Sequence, residues 1–172
     1  MSTFTTTAPS VPASRPTFAS VAERELDAVH RYLLFLTGNR AIAEDLTGDT
    51  FEKAFRSWRR FDPRRGTART WLCTIARSVA LDHFRAEDRR RRREERFAQE
   101  TRDVDESVWG DTLAAALDSL SPAEREVVAL RVLLELDGPT TARVLGISRT
   151  ACSTRLSRAL KRLEERMGDG RD

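Results

Sequence analysis

The sequence predicts an all-α protein of two small helical domains, a three-helix domain and then a four-helix domain, joined by a charged linker. Three observations carry this. Apolar residues recur at three- and four-residue intervals in separate stretches, with no strand-like alternation and no internal repeat. That periodicity lapses between Ala86 and Arg102. Of 172 residues, 33% are charged and 40% apolar, with only eight Gly and six Pro, which suits a helix-rich globular chain and not a collagen-like or low-complexity one. The expected divisions are a leader over 1–20, a first domain over 21–88, a linker over 89–111, a second domain over 112–168 and a tail over 169–172.

The leader, Met1 to Ser20, is rich in Ser, Thr, Pro and Ala and has no apolar h-region. It reads as disordered and not as a secretory signal. Ala22, Leu26, Val29, Leu33 and Leu36 then form one helical stripe, stopped by Gly38-Asn39. A second helix is expected over Ala41–Arg60, with Leu46, Phe51, Phe55 and Trp58 among its apolar positions. Phe61 to Thr67, with Asp62-Pro63 and Gly66, reads as a loop. The third helix is expected to end near Arg85, with Leu72, Ile75, Ala76, Val79 and His83 on its inner stripe. Three helices with short connections make one small bundle.

Arg89 to Arg93 is an unbroken arginine run, and between Arg85 and Arg96 seven Arg stand against four Asp/Glu. This is the charged linker, helical at most at its start. The second block begins near Thr112 with Leu113, Ala116, Leu117 and Leu120 in register. Ser121-Pro122-Ala123-Glu124 is a helix start: Ser caps, Pro takes the first position, and Glu closes the capping box. That helix is expected to reach about Leu136, where Asp137-Gly138-Pro139 breaks it. A short helix, Thr140–Leu145, ends at Gly146. Ser148 caps a last helix, Arg149 to about Met167, whose stripe is Cys152, Leu156, Leu160, Leu163 and Met167.

The net charge of +3 and a pI near 9.4 are only mildly basic, so the distribution of charge matters more than its sum. Cys73 and Cys152 are far apart, there is no C-x-x-C, and the histidines are His30 and His83 alone. A structural zinc site does not fit this pattern, and no cofactor is expected; the thiols read as reduced, in the cytoplasm. No apolar run approaches the roughly 18–20 residues of a membrane span, so no membrane insertion is expected.

Three constellations could carry chemistry. The first is the short helix, Gly146-Ile147-Ser148 and the basic helix after it, which has helix-turn-helix spacing. Arg149, Ser153, Thr154, Arg155 and Arg158, then Lys161 and Arg162, line its polar side. The early residues suit base edges and the later cations suit phosphates. An ordinary helical hairpin with a solvated basic face is the plainer alternative. The second is Phe55 to Trp71, with six arginines against Asp62 and with Trp58, Phe61 and Trp71 interleaved. Cations hold phosphates and aromatic faces stack on unpaired bases, unless the rings are core. The third is the acidic stretch Glu44, Asp45, Asp49 and Glu52. A docking face fits it better than a hydrolytic site, because no His, Lys or Cys is placed to complete one.

These signals, in this order, resemble the bacterial RNA polymerase sigma factors, and the small two-domain extracytoplasmic-function (ECF) group in particular. The likeness lies in Ala43-Glu44-Asp45-Leu46, Phe51, Phe61-Asp62-Pro63-Arg64-Arg65-Gly66, Trp71-Leu72, Ile75-Ala76-Arg77 and Leu81-Asp82-His83-Phe84-Arg85. It continues in Leu120 to Val127, Leu145-Gly146-Ile147-Ser148 and Arg155-Leu156-Ser157-Arg158-Ala159, and covers roughly Ala22 to Met167. The resemblance implies that Glu44, Asp45, Leu46, Asp49, Phe51 and Glu52 dock on core RNA polymerase. It implies that Trp58, Arg59, Arg60, Phe61, Asp62, Arg64, Arg65, Thr67, Arg69, Thr70, Trp71, Arg77, Ser78, Asp82 and Arg85 read and open the minus-ten element of promoter DNA. Ser148, Arg149, Thr150, Ser153, Thr154, Arg155, Arg158 and Arg162 would read the minus-thirty-five element. It further implies an anti-sigma factor as partner, no small-molecule substrate and no catalysis of its own.

The chain departs from the family pattern at Gly48, where Gln is common, and at Ser78, where Asn is common. It departs also at Gly138-Pro139-Thr140-Thr141 and at Ala151-Cys152-Ser153, so promoter sequence does not carry over. The rival readings are a helix-turn-helix regulator acting without polymerase, a metal-dependent nuclease using Glu44, Asp45 and Asp49, and an arginine-rich RNA-binding adaptor. The first leaves the acidic stretch and the arginine-aromatic loop without a task, the second lacks a base, and the third rests mainly on Arg89–Arg93.

Overall fold

A computed structural model describes residues 16–94 and 111–168. Helix α1 (Phe18–Thr37) starts at Thr17, whose hydroxyl accepts the Ser20 N–H at 3.3 Å. Phe18 to Ser20, expected in the leader, are therefore helical, and residues 1–15 lie outside the described residues. Gly38 ends α1 in the left-handed conformation at φ 66°, its N–H on the Leu34 carbonyl at 2.8 Å. The buried face of α1 is Val21, Glu25, Ala28, Val29, Tyr32, Leu33 and Leu36. Leu26, expected inside, is 47% exposed. Val29, Leu33 and Leu36 of the expected stripe are buried, and only its N-terminal part is turned by one position, because Glu25 points inward to meet Arg69.

Asn39 caps α2 (Arg40–Ser57) by accepting the Ile42 N–H at 2.9 Å, and a 3-10 turn, Trp58–Arg60, closes it. Its buried positions are Ala43, Leu46, Thr47, Thr50 and Ala54. The two threonine hydroxyls donate back to the carbonyls of Ala43 and Leu46, which lets them lie inside without an unmet donor. Phe55, one of the apolar positions of this helix, is 65% exposed.

Helix α3 (Ala68–Glu94) does not stop near Arg85. Its last turns are stapled by Arg90 to Glu87 and by Arg91 and Arg92 to Asp88, the three- and four-residue spacings that place opposite charges side by side on a helix. The arginine run Arg89–Arg93 is thus helical. The remainder of the expected linker, 95–110, falls outside the described residues.

The second module comprises α4 (Asp111–Asp118), α5 (Pro122–Val128), a π-helical turn (Ala129–Leu133), α6 (Gly138–Leu145) and α7 (Arg149–Gly168). Both halves of the Ser121–Glu124 capping box are present. The helix expected to run to Leu136 widens instead at Ala129, where the Leu134 N–H reaches the Ala129 carbonyl, and Glu135 turns the chain at φ 53°. Asp137 caps α6 by accepting the Thr140 N–H at 2.6 Å, so Gly138-Pro139 opens that helix instead of only breaking the one before. On α7, Cys152 and Ala159 are buried, whereas Leu160 and Met167 are 45% and 49% exposed. Among the described residues there is no strand, and no helix is long and apolar enough to cross a membrane.

α1, α2 and α3 pack on one another, and α7 packs on α4, α5 and α6. The two modules also touch. α1 lies on α5 and the π turn, α3 lies on α6, and the buried apolar residues form one connected cluster from Val21 to Ala159. Fully buried side chains such as Leu33, Leu72 and Leu130 each contribute about 1.5–3 kcal/mol.

Candidate nucleic-acid interface

The loop between α2 and α3 is built on an aromatic floor. Phe61 is 5% exposed and stacks on Trp58 at 4.8 Å with the planes 16° apart. Trp71 meets Trp58 at 5.7 Å and Phe61 at 5.4 Å. Phe61 supports the loop from within and presents no free face; Trp58 and Trp71 are half-buried.

Above this floor Asp62 folds the turn. Its carboxylate accepts the Arg64 N–H at 2.9 Å and its carbonyl accepts the Arg65 N–H at 3.0 Å. Arg64, Arg65 and Thr67 are exposed, with Arg59 and Arg60 beside them. Thr67 starts α3 by accepting the Thr70 N–H at 3.2 Å. The result is a cleft of about 320 Å³ between the loop and α6, lined by Arg60, Asp62, Arg65, Thr67 and Trp71 on one side and by Arg143 and Val144 on the other. Its wall is apolar at Trp71 and cationic at the rim.

Arg69 is held differently from its neighbours. Its Nε donates to the buried Glu25 carboxylate at 2.7 Å, and Arg24 donates to the same carboxylate at 3.0 Å. Burial works to raise the Glu25 pKa, but the hydrogen bonds from Arg69 and Arg24 outweigh it and hold the carboxyl below its ordinary range. Arg69 therefore anchors the first turn of α3 to α1 across the bundle. Cys73, one turn further, is fully buried, and burial pushes its thiol up to about 12, which leaves it an inert core group.

Farther along α3, Ser78 is half-buried, and its hydroxyl accepts from Lys53 of α2 at 3.3 Å. Asp82 and Arg85 are exposed and paired at 3.4 Å. Arg77 reaches Glu126 of α5, its Nε 2.9 Å from Oε1. Lys53 was not among the sequence candidates. It lines a groove of about 870 Å³ between α2 and α3, with Asp49, Glu52, Arg56, Asp82 and His83, so a lysine and a histidine do stand beside the acidic stretch, contrary to expectation.

Glu44, Asp45, Asp49 and Glu52 are exposed on α2, so the acidic stretch forms a solvent-facing surface. Leu46 is 4% exposed and anchors that surface to the core; Phe51 is half-buried, 6.4 Å from Phe18. Phe55 stands beside Phe18 at 5.3 Å. It gives the acidic surface an apolar border. The signal was available: Ala43, Leu46/Thr47, Thr50 and Ala54 trace the inner stripe with small residues, and position 55 falls off it. Gly48 lies among the acids with open space where its Cβ would project.

In the second module, α6 stops at Gly146, left-handed at φ 67°. The Ile147 N–H returns to the Ala142 carbonyl at 3.0 Å, and the Ser148 hydroxyl accepts the Ala151 N–H at 3.1 Å. This fixes the angle of α7. Arg149, Thr150, Ser153, Thr154 and Arg158 are exposed and Arg155 is half-buried. Ser148, Thr150, Thr154, Arg155 and Arg158 share a cleft of about 550 Å³ with Ser121 and Glu124. Arg162 is turned back to the fold, on the Ser119 carbonyl at 3.2 Å and Glu124 at 3.1 Å. The Ser121 backbone N–H and hydroxyl, with Arg162 and Arg158, hold Glu124 below the ordinary carboxylate range. Among the described residues no three His, Cys, Asp or Glu side chains gather as a metal site.

A helical module bearing a cationic loop on an aromatic floor, followed by a helix-turn-helix, defines a DNA-binding protein of the transcription machinery. The comparisons agree on which. Residues 21–90 match the Sigma-70 region 2 family and residues 111–163 match Sigma-70 region 4. The chain is 33% identical to the ECF RNA polymerase sigma factor BldN of Streptomyces coelicolor over 88% of its own length, and spans 61% of that relative. It is 30% identical to the ECF RNA polymerase sigma factor SigX of Bacillus subtilis over 81% of its own length and 77% of the relative's. The sigma factor RpoE of Bartonella quintana, solved in complex with the anti-sigma factor NepR, superposes with a TM-score of 0.76 and 25% identity, over 90% of this chain and 98% of that one. The chain belongs to the ECF RNA polymerase sigma factor family.

Proposed function

We propose that the chain acts as a dissociable initiation subunit that binds core RNA polymerase and directs it to promoters. It works in the cytoplasm and leaves nucleotide chemistry to the polymerase. The observation that carries this reading is the coexistence, on one module, of an exposed acidic surface at Glu44, Asp45, Asp49 and Glu52 and an arginine-rich loop at Asp62–Thr70 standing on an aromatic floor. A regulator working on duplex DNA alone has no use for either.

In this reading the acidic surface, with Phe55 at its edge, docks on polymerase. The α7 face from Arg149 to Arg158 enters the major groove at the minus-thirty-five element, with Arg155 and Arg158 suited to guanine edges or phosphates. At the minus-ten element a base leaves the stack and enters the cleft over Trp71. Extrusion costs a few kcal/mol of stacking, offset by the pocket and by Arg59, Arg60, Arg64 and Arg65 on the backbone. Arg69 contributes by holding the cleft in shape through Glu25. An anti-sigma factor, as in the Bartonella complex, is the expected negative regulator.

The test is transcription with core polymerase on a promoter library, sequencing the 5′ ends. Defined start sites with two spaced upstream motifs are expected. Polymerase that gives no defined starts with this protein present overturns the proposal.

A further inference from the structure

The arginine run Arg89–Arg93 has no task in the function proposed above, and the fold gives it a definite place. After Ala80 no described side chain of α3 is buried, yet the helix continues unbroken to Glu94. Over Arg85–Arg93 it carries six arginines against Glu87 and Asp88. Both acids are already taken. Glu87 meets Arg90 at 3.7 Å, and Asp88 meets Arg91 and Arg92 at 3.0 Å each. Arg85 is paired with Asp82 at 3.4 Å. Arg89 and Arg93 are exposed, and neither makes an ion pair with a described residue. Arg93 Nε donates to the Arg89 carbonyl at 3.3 Å, which leaves its two terminal nitrogens for a ligand.

The helical period sets where these cations lie. At 3.6 residues per turn, Ser78, Asp82, Arg85, Arg89 and Arg93 fall within an arc of about 80°, and Glu87 lies on the far side. The face assigned to the minus-ten element therefore runs on, past the end of the core, as a row of cations. Arg85, Arg89 and Arg93 follow one another at about 6 Å of helix axis. Each strand of a DNA duplex carries one phosphate per about 3.4 Å of its axis, so the row is in step with every second phosphate.

We propose that the Arg89–Arg93 end of α3 binds the phosphate backbone of double-stranded promoter DNA just upstream of the melted minus-ten segment. The inference rests on the reading of Ser78, Asp82 and Arg85 as a promoter-facing surface. Connectivity gives the direction. The loop assigned to strand opening stands at the start of α3, and the module assigned to the minus-thirty-five element follows its end. The far end of α3 therefore points upstream, where the strands are still paired. Phosphate contacts carry no sequence information. The row fixes where α3 lies along the duplex, not which bases it reads, and it adds affinity that falls as salt rises.

The test is fluorescence anisotropy of the full chain with two DNA probes, titrated at salt concentrations from about 50 to 200 mM. One probe is a single-stranded 20-mer. The other is a fork in which the upstream half of the same strand is paired. Wild type should bind the fork more tightly than the single strand. Arg89→Ala/Arg93→Ala should flatten the fork's plot of log affinity against log salt by about 1.8, at about 0.9 per lost phosphate contact. Its affinity for the fork should fall at least about tenfold at the low-salt end, with the single strand little changed. Alanine favours the helix, so circular dichroism should show no loss of helix. Arg89→Lys/Arg93→Lys keeps both point charges and should keep the slope. Arg64→Ala/Arg65→Ala in the loop should weaken both probes. If that pair has no effect while Arg89→Ala/Arg93→Ala behaves as above, the minus-ten reading falls and the duplex contact stands. A wild type that binds the fork no tighter than the single strand overturns the inference. So does an unchanged slope in the alanine pair, an equal loss on both probes, or a lysine pair as weak as the alanine pair.

Discussion

The two modules start their functional helices by different means. In the second, the caps of α5, α6 and α7 are local, Ser121 with Glu124, Asp137 with Thr140 and Ser148 with Ala151 lying three residues apart, although Arg162 also reaches Glu124 from thirty-eight residues away. In the first, the start of α3 has a local half, Thr67 with Thr70, and a remote half, Arg69 with Glu25, forty-four residues away. The loop before it stands on Phe61, Trp58 and Trp71 rather than on a cap. The helix-turn-helix is thus a locally specified object, whereas the cleft exists only once the bundle has closed. Mutations should damage the two by different amounts.

The largest effect should come from Phe61→Ala, which empties the centre of the aromatic floor. Denaturant unfolding should show a loss of about 3–5 kcal/mol, with the α7 surface still binding duplex DNA wherever the protein remains folded. A loss below about 1 kcal/mol would mean that the floor is not core, contrary to its burial. Next comes Glu25→Gln, which removes the charge that Arg69 and Arg24 share. A loss of about 1–3 kcal/mol is expected at neutral pH, the range for a hydrogen-bonded buried charge. Because the folded Glu25 pKa is depressed, its contribution is complete above the ordinary value of 4.5 and fades as pH falls through the lower folded value. The gap between wild type and Glu25→Gln should therefore close on acidification, and a gap unchanged down to pH 2 would contradict the pairing.

Ser121→Ala tests the local side of the contrast. Loss of one cap should cost about 1 kcal/mol and should be read in α5 without disturbing the Asp62–Thr70 cleft; amide exchange resolves the two. The smallest change runs the other way. Gly48 lies mid-helix on α2 with open space around it, so Gly48→Ala should stabilise the protein by up to about 1 kcal/mol in thermal or denaturant unfolding. Destabilisation there would mean that the acidic surface depends on a backbone that only Gly allows.

The same contrast explains what the sequence could reveal. Ser121-Pro122-Ala123-Glu124 and Gly146-Ile147-Ser148 are legible because cap and capped amide lie within one turn. The exposed acids of α2 and the basic face of α7 were legible for the same reason, since charge on a helix faces water by default. The inner face of α1 is legible at Val29, Leu33 and Leu36 but not in its first turns, where Glu25 is stabilised inside by Arg69, a partner no local pattern shows. The apolar chemistry of Phe55 does not show which way it faces, because small residues hold the buried stripe of α2. The length of α3 was underestimated because its final turns are held by ion pairs at Glu87 and Asp88 and not by apolar contacts. Docking of the modules was not legible at all: Arg77 and Glu126 are forty-nine residues apart, and either alone reads as surface charge.

The most direct test of the account is the affinity of the protein for core RNA polymerase with Asp45 reversed to Arg. Asp45 is exposed on α2, so stability should stay within about 0.5 kcal/mol of wild type. The account predicts wild-type binding to core enzyme and a loss of at least about tenfold in Asp45→Arg, equivalent to about 1.4 kcal/mol. Binding of the reversed variant as tight as wild type would contradict the assignment of the acidic surface to polymerase.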